Sequence, residues 1–262
     1  MQQTHNLPES PMPLSSLHHL LEEKNINALI FDLDGVITQT AKVHALAWKR
    51  MFDDYLLKRG EQEGKVYKPL HIATDYRQYI DGIPRYDGVR NFLASRGIVL
   101  PEGNTKDAAG KETVAGLGNL KNYYFQNLVT EDGVEVYDDT VTFVKQHKAR
   151  GYRMAVISAS KNCQAILAAA GLEALFEVRV DGMVSLELGL KGKPAPDVFT
   201  EAARQLGVQP QESAVFEDAL LGVEAGRAGG FALVVGINRT GEAAEEFVHH
   251  GADLVLDKFP TE

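Results

Sequence analysis

The 262-residue sequence holds a single cysteine, Cys163, and a single tryptophan, Trp48. One thiol excludes an internal disulfide framework and suits a reducing compartment. Positive charge is also scarce: 27 Lys and Arg stand against 36 Asp and Glu, a formal net charge of −9. A partner held through a broad basic surface, whether nucleic acid or an anionic membrane face, is therefore not expected. A small anionic ligand is compatible only where a metal or a few placed cations neutralise it locally. No apolar run approaches the roughly 18 residues of a membrane helix. Residues 1–16 are polar and Pro-rich, without the basic and apolar regions of a secretory signal. They read as a loose leader, and the cytoplasm is the expected location. The rest is ordinary globular usage, 44% hydrophobic and 24% charged, over a length that suggests one or two domains.

Short apolar runs at 28–33, 152–157, 213–216, 231–235 and 253–256 read as buried parallel strands. Helical patterns lie between them. One leads through Val141 and Val144 to Gly151, and another runs over 163–170 to Gly171. A third follows Pro196 and spaces Phe199, Ala202, Ala203 and Leu206 on one face. This alternation predicts an α/β fold, a doubly wound Rossmann-like parallel sheet. From 40 to 129 the alternation breaks. Ala47, Trp48, Met51, Phe52, Tyr55 and Leu56 follow a helical period, a polar patch covers 58–68, and helix-like pieces recur at 76–80, 89–93 and 120–128. A Gly-rich interruption spans 103–118. The expected division is a leader at 1–26, a core of 27–39 and 130–262, and an inserted helical domain at 40–129.

In such sheets ligands bind beyond the carboxyl ends of the strands. The first strand ends in Asp32-Leu33-Asp34-Gly35, the second in Ser158-Ala159-Ser160-Lys161-Asn162, and the third in Glu217-Asp218. Between the last two lies Gly192-Lys193-Pro194-Ala195-Pro196-Asp197. Together they predict a metal and phosphate site. Asp32 and Asp218 supply hard oxygens of the kind Mg²⁺ prefers. An ionised Asp32 can act as a nucleophile and form an aspartyl phosphate. Ser158 and Lys193 suit the oxygens of a transferring phosphoryl group, and Asp34 suits protonation of the leaving oxygen. Taken singly, Ser158 fits a helix cap and Lys193 a loop before a helix. Paired histidines at 18–19 and 249–250 lack partners at ligand spacing and read as solvated, and Cys163 reads as packing.

The run Phe31-Asp32-Leu33-Asp34-Gly35-Val36, then Ser158, then 193–199, then 217–226, resembles the four motifs of the haloacid dehalogenase superfamily, in order. The resemblance implies that Asp32 is the nucleophile and Asp34 the acid/base. It places Mg²⁺ on Asp32, the backbone carbonyl of Asp34, and Asp218, with Glu217 close by. It also implies that the inserted helical domain is a cap that closes over the site.

Finer features resemble the β-phosphoglucomutase-like subfamily: the segment 35–48, Ser158 to Asn162, Gly82-Ile83-Pro84-Arg85 and Leu120-Lys121-Asn122. They imply that Arg85 grips a non-transferring phosphate and that Lys121 and Asn122 reach the sugar and its phosphate. Thr40 and His44 join the substrate set by the same resemblance, and Ala159, Ser160, Lys161 and Asn162 form a second contact set on the core. The sequence departs from the pattern at Gln39, where Asp is usual, at Ala219, where Ser is common, and in extra residues near 60–68 and 101–118. The implied activity is a Mg²⁺-dependent interconversion of β-D-glucose 1-phosphate and glucose 6-phosphate through an aspartyl phosphate. A sugar-phosphate phosphatase using the same residues is the alternative. The expected partner is a small sugar phosphate, the expected state a monomer.

Overall fold

In this computed structural model the structure describes residues 14–80, 84–241 and 243–260. The chain divides into two compact units, one of Met1–Gln39 with Val134–Glu262, the other of Thr40–Gly133.

The first unit is built on a parallel sheet of β1 (Ala28–Asp32), β2 (Arg153–Ile157), β3 (Val178–Val180), β4 (Ser213–Glu217), β5 (Leu233–Ile237) and β6 (Leu254–Leu256). The strand order is β3-β2-β1-β4-β5-β6. The chain winds outward from β1 to β3, returns to β4, and winds outward again. Every residue of β1, β4 and β5 is buried, which is why these segments read as unbroken apolar runs. The crossovers carry α6 (Asp138–Ala149), α7 (Cys163–Ala169), α8 (Gly182–Leu188), α9 (Asp197–Leu206), α10 (Leu220–Ala228) and α11 (Ala244–His249). The face of α9 that bears Phe199, Ala202, Ala203 and Leu206 joins the core with Ile30, Ala155 and Val215. A second aromatic cluster holds Phe31, Phe143, Phe216 and Phe259, with Phe31 stacked on Phe216 at 4.7 Å between centroids. Helix α1 (Leu14–Glu23) precedes the first strand and buries Leu17 and Leu21 completely. Residues 1–13 lie outside the described residues.

The second unit contains α2 (Thr40–Glu63), a π-helical turn at Ile72–Tyr76, α3 (Arg77–Tyr79), α4 (Arg85–Ser95) and α5 (Val114–Asp132). Trp48, Met51, Phe52, Phe92 and Leu117 form its core. Helix α2 continues well into the expected polar patch, and α5 starts inside the expected Gly-rich interruption. No helix among the described residues is long and apolar enough to cross a membrane.

Candidate active site

The register of the sheet sets the first part of the site. Asp32 ends β1 and pairs with Ile157, while Glu217 ends β4 and pairs with Gly236. These strands flank the point where the chain reverses its winding, the usual place for a ligand in such a sheet. The chain then turns at Gly35, whose φ is +86°. Its amide donates to the Thr38 carbonyl at 2.8 Å and closes a tight loop over 33–38. Glycine is required there on two counts, the left-handed backbone and the absence of a side chain facing Asp218.

Asp32, Glu217 and Asp218 present carboxylate oxygens that lie within 4.8 Å of one another. Lys193 enters from the loop before α9 and donates to Asp32 Oδ1 at 2.5 Å and to Glu217 Oε2 at 2.6 Å. All three of these side chains are largely buried. Burial, then Glu217, raises the Asp32 pKa well above the ordinary carboxylate value, against the opposing pull of Lys193. Asp218 is pushed up to about 8, again by burial first and then by Glu217. Burial works against the charge on Lys193, but Asp32 and Glu217 outweigh it and hold the ammonium well above its ordinary value. Crowded, desolvated carboxylates that resist joint ionisation call for cations beyond the lysine.

Ser158 follows β2 and its hydroxyl donates to Asp34 Oδ2 at 3.0 Å. The loop that follows is shaped by its own hydroxyls: Ser160 N donates to Ser158 Oγ at 3.0 Å, and Asn162 N to Ser160 Oγ at 3.1 Å. A cavity of about 430 Å³ opens beside this loop, lined by Ser158, Ala159, Lys161, Ser185, Leu190 and Lys193 among others. The first unit thus brings together Asp32, Asp34, Ser158, Lys193, Glu217 and Asp218, with the 159–162 loop adjoining them.

The second unit holds a polar cluster of its own. Lys121, almost fully buried, lies 2.7 Å from His44 Nδ1. An ammonium has no lone pair, so Nδ1 accepts and the ring proton of neutral His44 sits on Nε2. Burial, then the cations Lys121 and Arg85, holds the His44 pKa well below its ordinary value. The ring stacks on Phe125 at 4.2 Å. Arg85 opens α4 and donates to Asn122 Oδ1 at 2.9 Å. Its guanidinium is desolvated, which lowers its pKa. Thr40 is buried at the start of α2. Gly82 and Ile83 lie outside the described residues.

The bond between Ser158 and Asp34 is signalled by no spacing in the sequence. His18 is half-buried and faces His147 edge-on at 5.5 Å, where a solvated ring was expected.

Comparison with known proteins shows the family. A family model described as haloacid dehalogenase-like hydrolase matches residues 26–230, and the chain belongs to that family. It is an enzyme of the phosphotransferase and phosphatase kind. Its β-phosphoglucomutase-like character rests on two relatives, the β-phosphoglucomutases of Mycobacterium bovis and Mycobacterium tuberculosis. Each is 50% identical over 238 residues, which cover 90% of this chain and 90% of the relative. Among solved structures, a β-phosphoglucomutase from Clostridium difficile is 26% identical with a TM-score of 0.63, covering 89% of this chain and 91% of that one. A haloacid dehalogenase family hydrolase from Deinococcus radiodurans with bound phosphate and sodium is 28% identical with a TM-score of 0.64, at 89% and 91% coverage.

Proposed function

We propose that this chain is a Mg²⁺-dependent phosphotransferase that interconverts β-D-glucose 1-phosphate and glucose 6-phosphate through phosphorylated Asp32. The observation that carries the choice of a mutase is Arg85. A desolvated guanidinium at the start of a helix, bonded to the neutral amide of Asn122, suits a second anionic group. A bisphosphate intermediate has two such groups, and the Asp32 cluster serves only one of them. The named relatives support the same reading.

The residues present fit a magnesium ion. Its donors are hard carboxylate oxygens clustered within 4.8 Å. Asp32 and Asp218 are the side chains that would hold the ion, with the Asp34 carbonyl beside them and Glu217 close by, sharing Lys193 with Asp32. When bound, the ion supplies positive charge that offsets repulsion between a carboxylate nucleophile and an anionic phosphate.

The rest follows from the chain's own groups. An oxygen of Asp32 attacks phosphorus, and the bond from phosphorus to the sugar oxygen breaks. Asp34 gives its proton to that oxygen. In the second half, Asp34 takes a proton from the accepting sugar hydroxyl, which attacks the phosphoryl on Asp32 and frees the carboxylate. Lys193 and Ser158 hold the equatorial oxygens, where charge is greatest in transfer. His44, with its proton on Nε2, offers a neutral donor to a sugar or phosphate oxygen.

The test is product identity. The protein is incubated with β-glucose 1-phosphate, a trace of glucose 1,6-bisphosphate and Mg²⁺, and both glucose 6-phosphate and free phosphate are followed. Glucose 6-phosphate in step with substrate loss is expected. Free phosphate at that same rate, without glucose 6-phosphate, makes the protein a phosphatase instead.

A further inference from the structure

Ser158 is 2% exposed, and its backbone amide is pinned to β3 by a 3.1 Å bond to the Val180 carbonyl. Its hydroxyl has one proton and two lone pairs. The proton goes to Asp34 Oδ2, and one lone pair accepts from Ser160 N, each at 3.0 Å. Phosphoryl oxygens are acceptors, so a phosphoryl group seated at Ser158 needs the same single proton that Asp34 holds. The Ser160 amide fixes the oxygen in place, which leaves rotation of the hydroxyl as the available change. One proton cannot serve both acceptors.

We propose that Ser158 is a positioning residue for Asp34, holding the Asp34 carboxyl until a phosphoryl group arrives and then exchanging one partner for the other. Seating of the transferring group and release of the Asp34 side chain from Ser158 become one event. The acid/base is delivered when there is a phosphate to transfer, by a residue 124 positions away in sequence. This rests on the reading above that Ser158 holds the transferring group.

The exchange makes a prediction that a plain phosphate ligand does not. In the wild type, phosphate binding must break the bond from Ser158 to Asp34. In Asp34→Ala that bond is gone, so phosphate should bind more tightly through the released hydroxyl. Removing a negative charge also tightens binding, but it does so whether or not Ser158 is present. A double-mutant cycle separates the two effects. Inorganic phosphate binding in the presence of Mg²⁺ is measured by calorimetry for the wild type, Asp34→Ala, Ser158→Ala and the double variant. The gain from Asp34→Ala should be about three- to tenfold larger with Ser158 present than with Ser158→Ala, the range for one net hydrogen bond.

Equal gains in both backgrounds overturn the exchange. If Ser158→Ala still weakens phosphate binding in that case, the phosphate-site reading stands without it. No phosphate binding by the wild type overturns both. A measurement on the wild type alone covers the case of a variant that fails to fold. In crystals grown with phosphate and Mg²⁺, Ser158 Oγ and Asp34 Oδ2 should separate beyond the roughly 3.5 Å reach of a hydrogen bond. A retained bond beside bound phosphate refutes the proposal.

Discussion

A Cβ atom on Gly35 would stand 1.8 Å from Oδ2 of Asp218. The turn that follows Asp34 and the carboxylate that follows β4 therefore occupy one space, and residue 35 can have no side chain while both keep their places. Gly35→Ala is expected to displace Asp218 and to strain a backbone held at φ +86°. A loss of about 1–3 kcal/mol in stability and a clear rise in the Mg²⁺ concentration needed for activity should follow. Thermal unfolding and a Mg²⁺ titration of activity check this. Unchanged metal dependence would contradict it.

Lys193 lies between two buried carboxylates. Lys193→Met keeps much of the stem and removes the charge. It leaves Asp32 and Glu217 buried and uncompensated, a change expected to cost about 3–5 kcal/mol near neutral pH. Acidification should restore part of this, because protonation neutralises the same carboxylates. Unfolding in denaturant at about pH 7.5 and about pH 5 reads the difference, and a variant equally destabilised at both would refute the charge argument.

The metal-free protein should lose stability as pH rises. Asp218 is pushed up to about 8 in the folded chain, far above an unfolded carboxylate. Between the two values the folded state holds a proton that the unfolded state has lost. Its stabilisation is full below the unfolded value and disappears as pH climbs through the folded one. Asp32 is shifted in the same direction. Magnesium favours the deprotonated carboxylates, so the rise in Tm on adding Mg²⁺ should be larger at about pH 8 than at about pH 5.5. An equal rise at both would count against these ligands.

His147 acts in the opposite sense. It is fully buried, its Nδ1 lies 2.9 Å from the Phe143 carbonyl, and its Nε2 has no hydrogen-bond partner among the described residues. Burial, then nearby His18 and Arg150, lowers its pKa to about 4. A folded value below the unfolded one gives stability that is present above about pH 6.5 and lost as pH falls toward 4. The loss by about pH 4 is on the order of 3 kcal/mol. His147→Leu should flatten that part of the profile, seen as a smaller drop in Tm between neutral and mildly acidic pH than in the wild type.

The strand ends were legible because central parallel strands are apolar throughout and stop abruptly at charged residues, as Phe31-Asp32 and Phe216-Glu217 do. β3 was not legible: Val178-Arg179-Val180 is a short edge strand with a charged centre. β5 begins two residues later than its apolar run, because Phe231 turns into the helical layer against Phe199, at 6.0 Å between rings. In α5, Gly116 and Gly118 read as a break in sequence. Gly118 belongs in the helix because a Cβ there would meet the Tyr86 ring at 2.7 Å. The pairings of Asp34 with Ser158 and of His44 with Lys121 depend on tertiary approach, and nothing in their local sequence records them.

Phosphoryl transfer as proposed requires the Asp32 carboxylate to accept phosphorus. The protein is crystallised with Mg²⁺ and fluoroberyllate, a mimic of a phosphoryl group on an acceptor oxygen. Beryllium bonded to a carboxylate oxygen of Asp32, with Lys193 and Ser158 on the fluorides, is the predicted result. Beryllium on any other side chain, or none bound at saturating fluoride in protein that still turns over sugar phosphate, contradicts it.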